Sequence, residues 1–322
     1  MKIRAVIPGF LPVEEIKRRV GALLPGVDVV DEPLAPGLYP PSEIDVLILT
    51  TFHDLPADAI QQMTALKFIQ VASTGYNRVA LDACRSRGIM LSNIPVANSK
   101  TVAEHVVLMI LALLRNLTTM DADLRRGEWP MLTDSHDLAG RTVGILGLGR
   151  IGKELAARLL PFEVAVVYYD VVRASPEDEG RLGVTYLPLE ELLSQSDIVS
   201  LHLPLTEATL ALLNAERLKL MKDGAMLINT ARAELVDLEA LRKEVKNGRL
   251  YAGLDVFPTE PPDFSDELFA TPGTLFTPHL AGVTMEAQAR FLQETVKNVL
   301  RYVQGKEPLY RVDNGPSVGK QG

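Results

Sequence analysis

An arginine, a glutamate and a histidine stand in the second half of the chain in three short segments: INTARAELVD with Arg232, GLDVFPTEPP with Glu260 and FTPHLAG with His279. Each follows an apolar run with the composition of a strand, so each side chain is expected at the carboxyl edge of a sheet, where ligands bind in open α/β folds. The three residue types suit reduction of a carbonyl that sits beside a carboxylate. Arginine's planar fork pairs with a carboxylate at two points and stays charged. Histidine can pass a proton to a developing alkoxide near neutral pH. A carboxylate on the other ring nitrogen would fix the tautomer and favour the protonated ring, and Glu260 is the candidate for that partner. Singly, an arginine after a strand is usually a surface ion pair, and a histidine before a Leu-Ala-Gly turn is more often structural. Their company downstream of a nucleotide motif is what favours chemistry.

That motif is TVGILGLGRIG, with Gly147, Gly149 and Gly152 directly after an apolar strand and at the mouth of a helix. The first glycine permits a tight turn, the second lets a pyrophosphate approach bare backbone, and the third lets helix and strand pack closely. Free N–H groups at the helix N-terminus then face the anion. A glycine pattern alone is weak, but the next strand ends in Asp170, 170 − 152 = 18 residues past the last glycine. About 20 residues is where an acidic side chain must lie to hold the adenosine ribose. A carboxylate there repels a 2′-phosphate, so NAD is expected rather than NADP. Arg173, three residues on, is the one nearby group that could greet such a phosphate.

The elements that must position these residues alternate between short β-rich runs and helical stretches from end to end, the pattern of parallel sheets flanked by helices. In the first part strands are expected over Ile3–Ile7, Val27–Val30, Val46–Thr50, Phe68–Ala72 and Ile89–Leu91. Helices fit between them over Val13–Leu24, Ala57–Met63 and Leu81–Arg87. A long helix runs from Ser99, a plausible N-cap, to about Arg125, and its apolar centre VVLMILALL predicts burial on every side, in a core or against a second subunit. After a polar loop, strands are expected over Thr142–Leu146, Val164–Tyr169, Ile198–Leu203, Met226–Asn229, Tyr251–Leu254 and Thr274–Phe276. Helices are expected over Ile151–Leu160, Leu238–Lys246 and Met285–Gln304, followed by a frayed tail.

At 322 residues the chain is long enough for two domains. With 33 basic against 41 acidic residues and a formal charge of −8, nucleic acid is an unfavoured partner. The longest apolar run, Val106–Leu114, is well below the roughly 18 residues that cross a bilayer, so no membrane role is expected. The segment Ala5–Val13, broken by Pro8, Gly9 and Pro12, makes a poor signal peptide. The single cysteine, Cys84, precludes an intrachain disulfide, fits a reducing cytoplasm and reads as a core filler. The remaining histidines, His53, His105, His136 and His202, offer less chemistry, and Glu104 and His105 are adjacent, hence on different helix faces, so no metal site is expected.

Seven ordered segments, VASTGYNRVALDACRSRGI, NSKTVAEHVV, VGILGLGRIGKELAARL, SDIVSLHLPLT, GAMLINTARAELVD, GLDVFPTEPP and TPHLAG, resemble the D-isomer specific 2-hydroxyacid dehydrogenase family over nearly the whole chain. The resemblance implies two doubly wound parallel-sheet α/β domains: a Rossmann NAD-binding domain, residues 99–283, inserted in a flavodoxin-like substrate domain, residues 1–98 plus 284–322. It implies a homodimer. Position by position, Arg232, Glu260 and His279 match the family's catalytic trio, and backbone N–H groups of Ser73, Thr74 and Gly75 would hold the substrate carboxylate, with Thr74 also near the cofactor. Arg150 and Ile151 match the pyrophosphate turn, Asp170 the ribose acid, Leu203 the strand end beneath adenosine, and Thr230 and Asp255 the nicotinamide side, where Arg232 and His279 also lie. Two departures stand out: Ala233 where the family commonly has Gly after the arginine, and Pro161, Phe162 and Glu163 where the helix after the glycine loop commonly ends in Gly.

The expected activity is hydride transfer between NAD(H) and a small D-2-hydroxy acid or its 2-oxo acid, with glyoxylate or hydroxypyruvate favoured. The side-chain pocket would be drawn from around Phe52, His53 and Tyr76. Two other readings stay open: a non-catalytic NAD-sensing protein akin to corepressors of this fold, and an enzyme acting on formate or phosphite.

Overall fold

Strands buried on both faces read as unbroken apolar runs, and in a computed structural model the run VLIL is an interior strand with every residue buried; FIQV is another, with the polar Gln70 buried among its apolar residues. The structure describes residues 1–7, 13–30, 43–131 and 134–314. The Pro8–Pro12 break and the tail after Asn314, both singled out above, lie outside them. The described residues divide into two compact units, Met1–Asn98 with those from Thr284 to Asn314, and Ser99–Val283.

The first unit carries β1 (Ile3–Val6), α1 (Val13–Leu23), β2 (Asp28–Val30), β3 (Val46–Leu49), α2 (Ala57–Gln62), β4 (Phe68–Val71), α3 (Leu81–Ser86) and β5 (Met90–Ser92). Its strands pair in parallel in the order β2-β1-β3-β4-β5, the flavodoxin-like winding. Cys84 is fully buried among Leu55, Ile60, Ile69 and Leu91, and burial pushes its thiol up to about 12, which leaves it inert.

The second unit begins with α4 (Ser99–Leu114) and α5 (Leu117–Arg125), and here the structure departs from the single helix expected over Ser99–Arg125. Asn116 takes a left-handed φ of 48° and the two axes bend by 64°. Asparagine is among the few non-glycine residues that tolerate this region. The backbone N–H of His136 caps the break by donating to the Leu114 carbonyl at 2.8 Å. Nor is α4 buried all round, because Leu108 remains 55% exposed, and Ser99 is the first helical residue rather than the cap. Among the described residues no single helix is long and apolar enough to cross a membrane.

The chain continues through β6 (Thr142–Leu146), α6 (Arg150–Leu159), β7 (Ala165–Tyr169), α7 (Pro176–Leu182), β8 (Val184–Tyr186), α8 (Leu189–Gln195), β9 (Ile198–Leu201), α9 (Ala215–Leu220), β10 (Ala225–Asn229), α10 (Leu238–Lys246), β11 (Leu250–Leu254) and β12 (Thr274–Phe276). Its seven strands are all parallel in the order β12-β11-β10-β9-β6-β7-β8, a doubly wound Rossmann sheet whose winding reverses between β6 and β9. Apolar clusters fill both faces of the sheet. Where a glycine was missed after α6, Glu163 itself takes the left-handed position at φ 57°. The final helix, α11 (Met285–Val303), belongs to the first unit, where the Asn298 side-chain amide donates to buried Gln70 Oε1 at 2.6 Å.

Candidate active site

All seven strands of the second unit run the same way, so the segments that follow β6, β7, β9, β10, β11 and β12 emerge at one edge. Gly147 follows β6 with φ 100°, and a Cβ on it would sit 2.8 Å from the His202 carbonyl. A Cβ on Gly152 would fall 2.2 Å from the Gly147 carbonyl oxygen, whereas one on Gly149 would meet nothing within 4 Å. Two glycines are therefore required by packing, and the third leaves backbone open to solvent. Arg150, Ile151 and Gly152 form the first turn of α6, where N–H groups have no intrahelical acceptor, a ready seat for a pyrophosphate. Asp170 directly follows β7 and its Oδ2 accepts from the Leu148 N–H at 2.8 Å, tying this carboxylate to the glycine turn. Arg173 is engaged by Glu179 at 2.8 and 3.0 Å.

Thr230 follows β10, and its buried hydroxyl has no hydrogen-bond partner among the described residues. An orphaned buried donor is costly unless something binds it, so it suits a polar group of a cofactor. With the open glycine turn and the bare helix terminus, the residues present fit a dinucleotide. Leu203 lies two residues beyond the end of β9 rather than at its end, and is 7% exposed in the core.

Arg232 sits in extended backbone after Thr230 and Ala231, on a turn braced by Asn229, whose amide donates to the Arg232 carbonyl at 2.8 Å and whose Oδ1 accepts from the Ala231 N–H at 3.0 Å. Sequence reasoning missed Asn229, although a buried polar residue at a strand end is itself a signal. Burial pulls the guanidinium down from its ordinary value, against the pull of Glu234 and Glu260. His279 holds Nδ1 2.9 and 2.8 Å from the two Glu260 carboxylate oxygens, and Glu260 Oε1 is fixed in turn by the Phe257 N–H at 3.2 Å. The Nε2 atom of His279 is left without a partner among the described residues, on a side chain 43% exposed.

Asp255, given by resemblance to the nicotinamide side, is held by the turn that carries His279. It is 1% exposed, and its carboxylate accepts from Thr277 Oγ1 at 2.5 Å, the Leu280 N–H at 2.9 Å and the Ala281 N–H at 3.0 Å. These bonds close the turn on which His279 adopts φ 56°. Thr277 has one hydroxyl proton and gives it to Asp255, so His105 Nε2, 3.1 Å away, must be the donor to Thr277. Burial lowers the His105 pKa against the pull of Asp255, consistent with a neutral ring. His202, beside Ser200 Oγ at 2.8 Å, is pushed down to about 4 by burial and stays neutral.

The chain His105, Thr277, Asp255 carries a prediction. Thr277→Val leaves Asp255 and His105 each short of a partner, and turnover falls about tenfold, the effect of one or two lost buried hydrogen bonds on the turn. NADH affinity measured by fluorescence titration changes little, and Thr277→Ser restores turnover. Equal rates for the serine and valine variants would show that the hydroxyl does not position the turn.

In the first unit, Ser73, Thr74 and Gly75 follow β4. Ser73 Oγ accepts from the Thr51 N–H at 3.1 Å, and the single hydroxyl proton of Thr74 is shared between the Ile94 carbonyl at 3.1 Å and Asn98 Oδ1 at 3.0 Å. The loop is anchored by its side chains, and none of its three backbone N–H groups donates to an acceptor among the described residues. His53 is buried, with Nδ1 3.1 Å from Thr50 Oγ1, while Phe52 is exposed.

Residues 107–281 match the family described as D-isomer specific 2-hydroxyacid dehydrogenase, NAD binding domain. The chain belongs to the D-isomer specific 2-hydroxyacid dehydrogenase family and is an NAD-linked oxidoreductase of hydroxy acids. It is 35% identical to the glyoxylate reductase of Thermococcus litoralis over 275 residues, 83% of this chain and 82% of that one. Against the hydroxypyruvate reductase of Thermotoga maritima it is 37% identical over 263 residues, covering 80% and 85% of the two chains. Among solved structures, the D-lactate dehydrogenase of Aquifex aeolicus in complex with NAD and lactic acid superposes with a TM-score of 0.87 at 31% identity, covering 98% of this chain and all of that one, 100%.

Proposed function

We propose that this chain reduces glyoxylate or hydroxypyruvate to the corresponding hydroxy acid with NADH. The observation that carries the assignment of roles is the Glu260–His279 pair, which orients one ring nitrogen and leaves the other open, in the same unit as the glycine turn. NADH, when bound, supplies the hydride that reduces the carbonyl carbon. Arg232 clamps the carboxylate and polarises the carbonyl oxygen; His279 Nε2–H gives that oxygen its proton. Glu260 keeps Nδ1–H in place while the ring cycles. Within the first unit the free N–H groups of Ser73, Thr74 and Gly75 suit a carboxylate oxygen, and within the second Thr230 suits a polar group of the cofactor. The choice among oxo acids rests on the names borne by the relatives, several of which are glyoxylate or hydroxypyruvate reductases.

A steady-state panel of glyoxylate, hydroxypyruvate, pyruvate, 3-phosphohydroxypyruvate and bulkier oxo acids, each with NADH and NADPH, tests this. The highest kcat/KM belongs to one of the first two with NADH. Absence of NADH oxidation with every acid would transfer the chain to the non-catalytic NAD-sensing reading.

The working form is a homodimer in the cytoplasm. Leu108 on α4, Leu117 and Leu124 on α5, and Trp129 and Met131 beyond it leave large apolar side chains exposed, and such surfaces mark association sites. Light scattering at micromolar concentration would give twice the chain mass, and a monomer mass would remove the proposal. The lone, buried Cys84 suits a reducing compartment.

A further inference from the structure

Between Asp170 and Glu179 the chain has one cationic side chain, Arg173. It lies on the loop joining β7 to α7, three residues past the carboxylate assigned to the adenosine ribose. A cation so placed is what a 2′-phosphate needs. Here it is occupied. Arg173 Nε and Nη2 donate to the two oxygens of Glu179 at 2.8 and 3.0 Å, a bidentate pair. Glu179 is 14% exposed and takes a third bond, from the Tyr168 hydroxyl at 2.7 Å. That hydroxyl accepts from the Ala174 N–H at 2.9 Å, so the backbone of the loop is tied to the same group. The Arg173 guanidinium also lies over the Tyr186 ring, 5.4 Å from its centre. Neighbouring cations are disarmed in the same way, with Lys153 Nζ 2.5 Å and Arg181 Nη2 2.7 Å from the two oxygens of Asp178.

Most exposed ion pairs hold weakly, but this one combines fork geometry, a sheltered carboxylate and an aromatic seat. We propose that Glu179, through its grip on Arg173, is a determinant of NAD-over-NADP selectivity in this chain, acting beside the direct repulsion from Asp170. The inference rests on the reading that the adenosine ribose sits at the end of β7. Glu179→Gln keeps the shape and can still accept from Tyr168, yet gives up the charge that holds Arg173. The freed guanidinium can then meet a 2′-phosphate or neutralise Asp170, and both outcomes favour the phosphorylated nucleotide.

Calorimetric titration with NADH, NADPH and the pair AMP and adenosine 2′,5′-bisphosphate reads this without turnover. In Glu179→Gln the Kd for NADPH and for the bisphosphate tightens about tenfold, the increment of one charge-assisted bond, while the Kd for NADH and AMP stays within about twofold. Adding Arg173→Ala to that variant abolishes the gain, whereas Arg173→Ala alone changes little, since in the native chain the cation is already engaged. An unchanged NADPH affinity in Glu179→Gln, with NADH binding intact, would overturn the role of Glu179 and leave the dinucleotide site standing. So would an equal loss of NADPH affinity when Arg173 is removed from the native chain. Failure of the native chain to bind NADH would instead sink the underlying reading.

Discussion

Purified His279→Ala turns its best oxo acid over at least roughly a hundredfold more slowly than the native chain, the low end of what a positioned acid contributes. Its NADH affinity by fluorescence titration stays within about twofold, because the glycine turn and Thr230 are untouched. The ring is held by Glu260 on one nitrogen only, so its removal takes away the proton donor and leaves the carboxylate in place. Residue 279 sits at φ 56°, a region that residues with a Cβ other than asparagine and aspartate seldom enter, so the backbone of the turn is a second variable. His279→Asn separates the two effects, since asparagine accepts the left-handed region. Both variants fall together if the imidazole is the proton donor. Recovery of most activity in the asparagine variant would mean that the turn, and not the ring, was the requirement.

Arg232→Ala is the second large effect, with kcat/KM for the oxo acid falling by about 10³, the combined worth of two charge-assisted bonds to a carboxylate in a desolvated setting. Arg232→Lys does not rescue it. A lysine has no fork to span carboxylate and carbonyl, and its ammonium is more strongly hydrated than a guanidinium, so burial costs it more. The turn beneath is held by Asn229 through backbone groups, so the fold and NADH affinity survive the substitution. Oxamate, a carboxylate analogue that is not reduced, gives the independent check: its binding to the NADH-loaded protein is lost in both variants. Retained oxamate binding in Arg232→Ala would place the carboxylate elsewhere.

Much of this was legible in the residues. Parallel strands such as VLIL and AMLIN announce themselves because both faces are buried, and the helix expected over Leu238–Lys246 is found over those residues, with Asp237 as its cap. The glycine turn followed from its place after β6. What stayed hidden depends on tertiary partners. The break at Asn116 escaped notice because Leu111, Leu113 and Leu114 continue the helical pattern up to it, and only the left-handed residue and the His136 cap stop it. Asp255 enters the sequence reading only through the family resemblance, and its bonds to Thr277, Leu280 and Ala281 are long-range and invisible to spacing. The partner of Arg173 lies six positions away across a loop, where no helical periodicity links them.

Gly147 and Gly152 restrict how this protein can diversify. A side chain at 152 would occupy the space of the carbonyl at 147, and one at 147 would strike the carbonyl of His202, so each position is closed by backbone that no substitution elsewhere in the turn can clear. Random libraries across the turn would return variety at 149 and 150 and near silence at its two ends. Efforts to retune nucleotide preference therefore have their accessible freedom in the loop after β7, at residues 170–179, rather than in the glycine turn itself.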